Sequence, residues 1–281
     1  MCDADDDDNV LKSGVSPFEV AAGSGQTMNV RYLTNEKRTK PGFNPLPLMK
    51  PTVNGIWPRG FPLQDLHDET MRGESATVNQ GSIPTQSVGV LQAVCDIDPD
   101  MDAIYRLTRE LPITFETDPS RTSNLMIPMD SFSAYNAQAT THMYNAFWGL
   151  LLPVTVTPRV TDIWRAFFTQ RIMHDLQLAL VYTPPIVDHK RSPHDYMGDF
   201  NAEIDVYTRT GALLNFLHKE WDDDATFLPE RIENLCVALY ERDYIDLADV
   251  ELMQEWLLAL VDVGYKFPEV SSNIKPLTPG V

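Results

Sequence analysis

Five aspartates fall within six positions in the run Asp3-Ala4-Asp5-Asp6-Asp7-Asp8-Asn9. Carboxylates this close repel one another, and a hard divalent cation with oxygen ligands relieves the repulsion. An EF-hand loop starting at Asp3 needs Gly at its sixth position and Glu at its twelfth. Asp8 and Gly14 stand there instead, which excludes that geometry. A DxD-type loop fits better: it holds Mn2+ or Mg2+, and the ion in turn holds a diphosphate. The bland alternative is a solvated acidic tail.

Four further segments carry chemistry-bearing side chains. In Thr161-Asp162-Ile163-Trp164-Arg165, Asp162 opens an amphipathic stretch. It reads either as a partner of a helix N-terminus or as a general base facing a cleft. In Arg191-Ser192-Pro193-His194-Asp195-Tyr196, His194 sits in a loop, as a metal ligand or as a surface histidine. In Trp57-Pro58-Arg59-Gly60-Phe61-Pro62, Arg59 either grips a phosphate or marks a turn between two anchoring aromatics. Asn136 and Gln138, before a helical stretch, suit sugar hydroxyls as donors and acceptors, or cap the helix. No P-loop, GxSxG, HExxH or GxGxxG is present.

The elements that must position these groups read as follows. Residues 9–60 and 67–85 are rich in Pro, Gly and polar residues and predict loops with short extended pieces. Residues 88–94 (VGVLQAV) predict a buried strand, and 103–107 a second one after the Pro99 turn. Residues 139–152 predict a helix stopped by Pro153. Val160, Ile163, Trp164, Phe167, Phe168 and Ile172 form one stripe of a helix over 160–176. LALVY at 178–182 predicts a strand ended by Pro184-Pro185. Beyond residue 200 the period is helical: 203–221, 229–240 and 247–263, with Pro229 and Asp246 as start signals.

Composition sets outer limits. The chain has 281 residues, 22 Lys plus Arg against 40 Asp plus Glu, and a net charge of −18, which argues against nucleic acid or an anionic membrane as partner. A 43% hydrophobic share supports a folded core rather than disorder. Cys2, Cys95 and Cys236 form neither a disulfide framework nor a CxxC pattern. The longest apolar stretches, 146–156 and 256–263, fall short of the roughly 20 residues of a membrane helix.

Taken in order, DADDDDN, WPRGFPL, DIDPDMDAIYRLTRELPITF, AYNAQATTHMYNAFWGLLLPVTVTPRVTDIWRAFFTQRI, PHDYMGDF and YKFP resemble the STELLO-like glycosyltransferases. More distantly, the series is similar to the reversibly glycosylated polypeptides (UDP-arabinopyranose mutases). The resemblance covers roughly residues 3–200 and loosely the tail. It implies an α/β, partial GT-A-like nucleotide-diphospho-sugar transferase fold. Residues 1–200 would be the C-terminal part of that domain, and 201–281 a helical extension packed on it. In a GT-A fold the nucleotide-binding βα units precede the DxD motif, so the resemblance implies that those units are missing here. It also implies Golgi membrane residence for a full-length relative.

By the same resemblance, Asp5, Asp6 and Asp7 carry Mn2+ or Mg2+, with His194 as a further metal ligand. Asp162 is the catalytic base, and Arg59, Asn136, Gln138, Trp164 and Arg165 lie on the donor side. The implied function is metal-dependent transfer from a nucleotide-sugar donor, a UDP-sugar, to a glycan acceptor, with this chain incomplete and inactive alone as one outcome. A homo-oligomer remains open. The rival is a non-catalytic scaffold or binding protein that keeps the fold, and a Ca2+-binding module is a third reading.

Overall fold

The computed structural model describes residues 2–3, 9–12, 27–34, 38–69, 76–118, 121–270 and 277–280. An eight-stranded mixed sheet is built from β1 (Cys2–Asp3), β2 (Asn9–Leu11), β3 (Thr27–Thr34), β4 (Thr77–Pro84), β5 (Val88–Ile97), β6 (Leu125–Met126), β7 (Thr140–His142) and β8 (Ala179–His189). Its order is β1-β7-β5-β8-β6-β3-β4, and β2 pairs with β8 off that path. At the centre β5 and β8 run parallel, from Val88 opposite Ala179 to Ile97 opposite His189. Every residue of β5 from Val88 to Asp96 is buried, as expected of a strand covered on both faces.

Among the described residues, six α-helices follow the first part of the sheet: α1 (Ala103–Thr108), α2 (Thr161–Asp175), α3 (Tyr196–Ala202), α4 (Ile204–Asn215), α5 (Leu228–Tyr240) and α6 (Leu247–Asp262). Helix α2 is buried nearly all round, Arg165 and Gln170 included. One large core takes Val90, Val94, Leu180 and Tyr182 from the sheet, Ile163, Trp164 and Phe167 from α2, and Leu213, Leu235 and Leu257 from the later helices. The sheet and the C-terminal helices therefore share a single apolar interior. A smaller cluster (Met28, Val30, Ile83, Leu91, Met126, Val181) includes Leu91 and Val181 of the central strands β5 and β8.

The α/β-then-α layout and the helices after residue 200 match expectation, with a π-helical turn at Phe216–Glu220 closing α4. Four local expectations do not. Residues 103–107 form helix α1 rather than a strand, because the Asp102 carboxylate caps it by accepting from the Tyr105 N–H at 2.7 Å. Residues 139–152 split into β7 and a 3-10 turn at Tyr144–Leu150. Thr140 and Thr141 are β-branched and pair with Gln92 and Leu91 of β5.

Strand β8 runs through Pro184 and Pro185 instead of ending there. These prolines sit where the β5–β8 register shifts between Ala93 and Cys95, so their missing N–H groups fall at a gap in the ladder. Finally, the regions read as loop contain the antiparallel eight-residue strands β3 and β4, paired from Thr27 opposite Pro84 to Thr34 opposite Thr77. Among the described residues, no helix is long and apolar enough to cross a membrane.

Candidate functional site

Strand directions bring the chemical segments to one end of the sheet. The parallel strands β5 and β8 end at Ile97 and His189. Strand β7 is antiparallel to β5, and β1 to β7, so β1 runs toward that same end, with Asp3 opposite Thr140 and level with Gln92 in the middle of β5. Strand β2 is antiparallel to β8, so Asn9 opposite His189 lies there too. The carboxyl end of parallel strands is where open α/β sheets place their ligands. Asp5, Asp6 and Asp7 lie outside the described residues. Of the positions on either side, Asn9 is in the sheet at this pole and Asp3 ends a strand directed toward it. The Asn9 side chain donates to Gln138 O at 2.9 Å, and its Oδ1 lies 3.0 Å from His189 Nδ1.

Four buried aspartates at every second position (Asp96, Asp98, Asp100, Asp102) close β5 and lead into α1. Between the first two stands Ile97, a β-branched residue at φ 78°, where strain is tolerated only if the surroundings enforce it. Each aspartate is matched. Asp96 pairs with Lys12 and accepts from Phe115 N at 2.8 Å. Asp98 pairs with Arg106 and with Arg191 at 3.4 Å. Asp102 accepts from Trp57 Nε1 at 2.6 Å as well as from Tyr105 N.

Asp100 and Asp162 share one guanidinium. Arg59 Nε and Nη2 donate to Asp100 at 2.9 and 2.8 Å, while Nη1 and Nη2 donate to Asp162 at 3.0 and 2.9 Å. Arg59 Nη1 also donates to Arg159 O. All five N–H groups of Arg59 are thereby used, leaving none for a phosphate. Burial alone would raise the Asp100 carboxyl, but Arg59, Arg159 and Arg191 pull it down to about 2. Burial likewise opposes the Arg59 cation, and the two carboxylates outweigh it, holding Arg59 well above the usual arginine range. The chain reaches this cluster through Gly60, at φ 92°, where a Cβ would stand 2.4 Å from Ile163 Cγ2.

Asp162 is itself saturated. Beyond Arg59, Oδ1 accepts from Ile163 N at 3.0 Å and Oδ2 from Ala137 N at 3.3 Å. A carboxylate with four N–H donors and 5% exposure positions its neighbours and is poorly placed to take a proton from a substrate. Trp164 and Arg165, expected on the donor side, face the interior at 0% and 2% exposure. Arg165 lies over the Tyr135 ring and donates to Leu150 O at 3.3 Å.

Asn136 and Gln138 do stand at the pole. Gln138 Nε2 donates to Asp98 O at 3.3 Å, and Asn136 N donates to Gln92 Oε1 at 3.0 Å. With Asp100 they line a cavity of about 20 Å³, room for one water molecule. A larger hollow of about 570 Å³, lined by Tyr32, Met126, Met129 and Leu277, lies toward the opposite end of β8.

The loop after β8 completes the pole. His194 Nδ1 is 3.1 Å from Asp199 Oδ2, and Nε2 is 3.4 Å from Arg191 Nη1. Arg159 reaches Asp199 at 3.8 Å and Glu203 at 2.5 Å, and Glu203 accepts from Ala103 N at 2.8 Å. Among the described residues, no group of three or more His, Cys, Asp or Glu side chains is arranged to hold a metal. Sequence reasoning passed over Asp98, Asp100, Asp102, Arg106, Arg159, Arg191 and Asp199. The available signal was DIDPDMD directly after an apolar β-branched run, which places alternating acids at a strand's carboxyl end.

The Asp102 carboxyl is pushed up to about 6 by burial, helped by Glu203 and Asp100 and opposed by its Tyr105 and Trp57 hydrogen bonds. A raised carboxyl binds its proton more tightly in the folded chain. Its contribution to stability is full below about pH 4 and is lost as pH rises through about 6. Urea midpoints should therefore fall between pH 4.5 and 7, by at most about 3 kcal/mol from this group. Asp102→Asn should remove that part of the slope. An identical slope in wild type and variant would refute the assignment.

The comparisons with known proteins follow the same outline. Residues 159–278, from the start of α2 to the C-terminal segment, match the model of the STELLO glycosyltransferases. Two Arabidopsis thaliana proteins align over 229 residues, 77% of this chain: probable glycosyltransferase STELLO2 at 28% identity and probable glycosyltransferase STELLO1 at 27%. The chain spans 28% and 27% of their respective lengths. The matched region carries Asp162, Arg191 and His194, whose partner acids stand at the same pole of the sheet, and over that region the chain is similar to the STELLO glycosyltransferases.

Proposed function

We propose that this pole serves metal-dependent sugar transfer from a nucleotide-sugar donor, a UDP-sugar, to a glycan acceptor. The observation that carries the reading is the docking of Asn9, just after the acidic run, beside the carboxyl ends of β5 and β8, with β1 directed toward that end from Asp3. The described carboxylates there are already paired with cations or backbone N–H groups. The ligands for an added ion would therefore come from Asp5, Asp6 and Asp7. Their oxygen-only donor set fits Mn2+ or Mg2+. When bound, such an ion draws off the charge that builds on a leaving diphosphate. Asn136 and Gln138, at the same pole, would offer amide groups to a sugar or ribose hydroxyl once their present partners give way. The Arg59 clamp holds the loop after β5 against the start of α2.

Calorimetric titration of UDP and UDP-sugars, with and without Mn2+, tests the reading. It is run on this chain and on a form extended upstream. Mn2+-dependent binding by both forms is the expected result for a complete donor site. Binding by the extended form alone would mean that this chain carries only part of the site. Binding by neither refutes the transferase reading and leaves the scaffold reading, which the fully saturated Arg59 cluster would equally suit.

A further inference from the structure

We propose that His194 is the general base that takes the proton from the acceptor hydroxyl, with Asp199 as its positioning residue. This rests on the sugar-transfer reading above and names the group that reading lacks.

Asp162 cannot serve easily, with four N–H donors on its carboxylate and almost no exposure. His194 has the complementary arrangement. Its Nδ1 faces the Asp199 carboxylate at 3.1 Å, so Nδ1–H donates and Nε2 keeps its lone pair. Asp199 is held in turn by Arg159 at 3.8 Å. The His194 side chain is 34% exposed, whereas Asp199 is buried behind it. A carboxylate behind Nδ1 that leaves Nε2 as the acceptor is how a histidine is oriented to take a proton.

The same geometry weighs against His194 as a metal ligand. The Arg191 guanidinium lies 3.4 Å from Nε2 and repels a metal cation placed there. That contact is long for a hydrogen bond, so an acceptor hydroxyl can replace it. Arg191 is tied to Asp98 at 3.4 Å, and Gln138 donates to Asp98 O. Gln138 O in turn accepts from Asn9, beside the acidic run. His194 is thus linked through contacts to the place where the donor would lie.

In the step itself the acceptor O–H oxygen attacks the anomeric carbon, and the new C–O bond forms as the bond to the diphosphate breaks. The diphosphate leaves with that electron pair, and the hydroxyl proton passes to His194 Nε2. The outcome is inversion.

The test uses this chain and its upstream-extended form with Mn2+, UDP and UDP-sugars as probes. Long-range ¹H–¹⁵N spectra should show His194 as the Nδ1–H tautomer, and Asp199→Asn should shift that population. His194→Gln should leave the Mn2+-dependent UDP affinity within about twofold while transfer falls by roughly 10²–10⁴. A loss of Mn2+ affinity of tenfold or more would make His194 a metal ligand and overturn the proposal. Unchanged transfer, or an Nε2–H tautomer in the wild type, overturns it as well. Absence of any Mn2+–UDP binding by both wild-type forms overturns the transferase reading beneath it, a result distinct from binding without a base.

Discussion

Replacing Arg59 by methionine is expected to destabilise the chain by about 3–5 kcal/mol, a large part of the stability of an ordinary domain. The reason is the company Arg59 keeps. Asp100 and Asp162 are each about 5% exposed and share its guanidinium through two pairs of hydrogen bonds. Without it, two buried carboxylates face each other with no cation between them, and one must take a proton or drag in water. Arg59→Lys should recover little, because an ammonium cannot serve both carboxylates with parallel hydrogen bonds. The triple change Arg59→Met, Asp100→Asn, Asp162→Asn should recover much of the loss, since it removes the stranded charges along with the cation. Chemical denaturation of the three variants reads this directly. If Arg59 instead contacted a donor phosphate, Arg59→Met would weaken nucleotide binding while leaving the denaturation midpoint within about 0.5 kcal/mol of wild type.

The contrast with the sequence reading is instructive in its particulars. Arg59 and Asp162 each stood out in the sequence, one beside a glycine between aromatics and one at a helix start. That they would bind each other was not legible, because the pair is separated by 103 residues and no local pattern records such a contact. Helices after residue 200 were legible because their apolar faces repeat at the helical period and Asp246 and Pro229 mark starts. Strand β5 was legible because its burial on both faces demands a continuous apolar run.

Strands β3 and β4 were not legible. Their sequences, TMNVRYLT and TVNQGSIP, alternate buried with exposed positions at best weakly, and the pairing between them does the specifying. Helix α1 was misread because a short apolar run has no period of its own, and only the Asp102 cap decides it. The acidic run stands out in the sequence, and its aspartates from Asp5 on lie outside the described residues. What the fold adds is Asn9, just after the run, at the carboxyl end of the parallel strands.

Trp164→Ala is expected to cost about 3–5 kcal/mol, as for large side chains removed from a core. On sequence spacing Trp164 could equally have faced a donor, since it follows Asp162 at a helix start. In the fold its ring is fully buried, edge-on to Tyr244 at 5.5 Å and covered by the Arg209 guanidinium at 5.5 Å. Tyr244 lies beyond α5 and Arg209 on α4, so this one side chain joins the helix that carries Asp162 to the C-terminal helices. Removing it opens a cavity at that junction. Trp164→Phe should be far milder, under about 1.5 kcal/mol. It keeps most of the packing and deletes an indole N–H that finds no hydrogen-bond partner among the described residues, a group that costs stability where it stands. Thermal and urea unfolding of the two variants decides between the roles. A structural tryptophan gives a large loss for alanine and a small one for phenylalanine, with Mn2+–UDP binding by the folded phenylalanine variant unchanged. A donor-contacting tryptophan gives the reverse: near-wild-type midpoints for both, with nucleotide affinity falling as the ring is cut back.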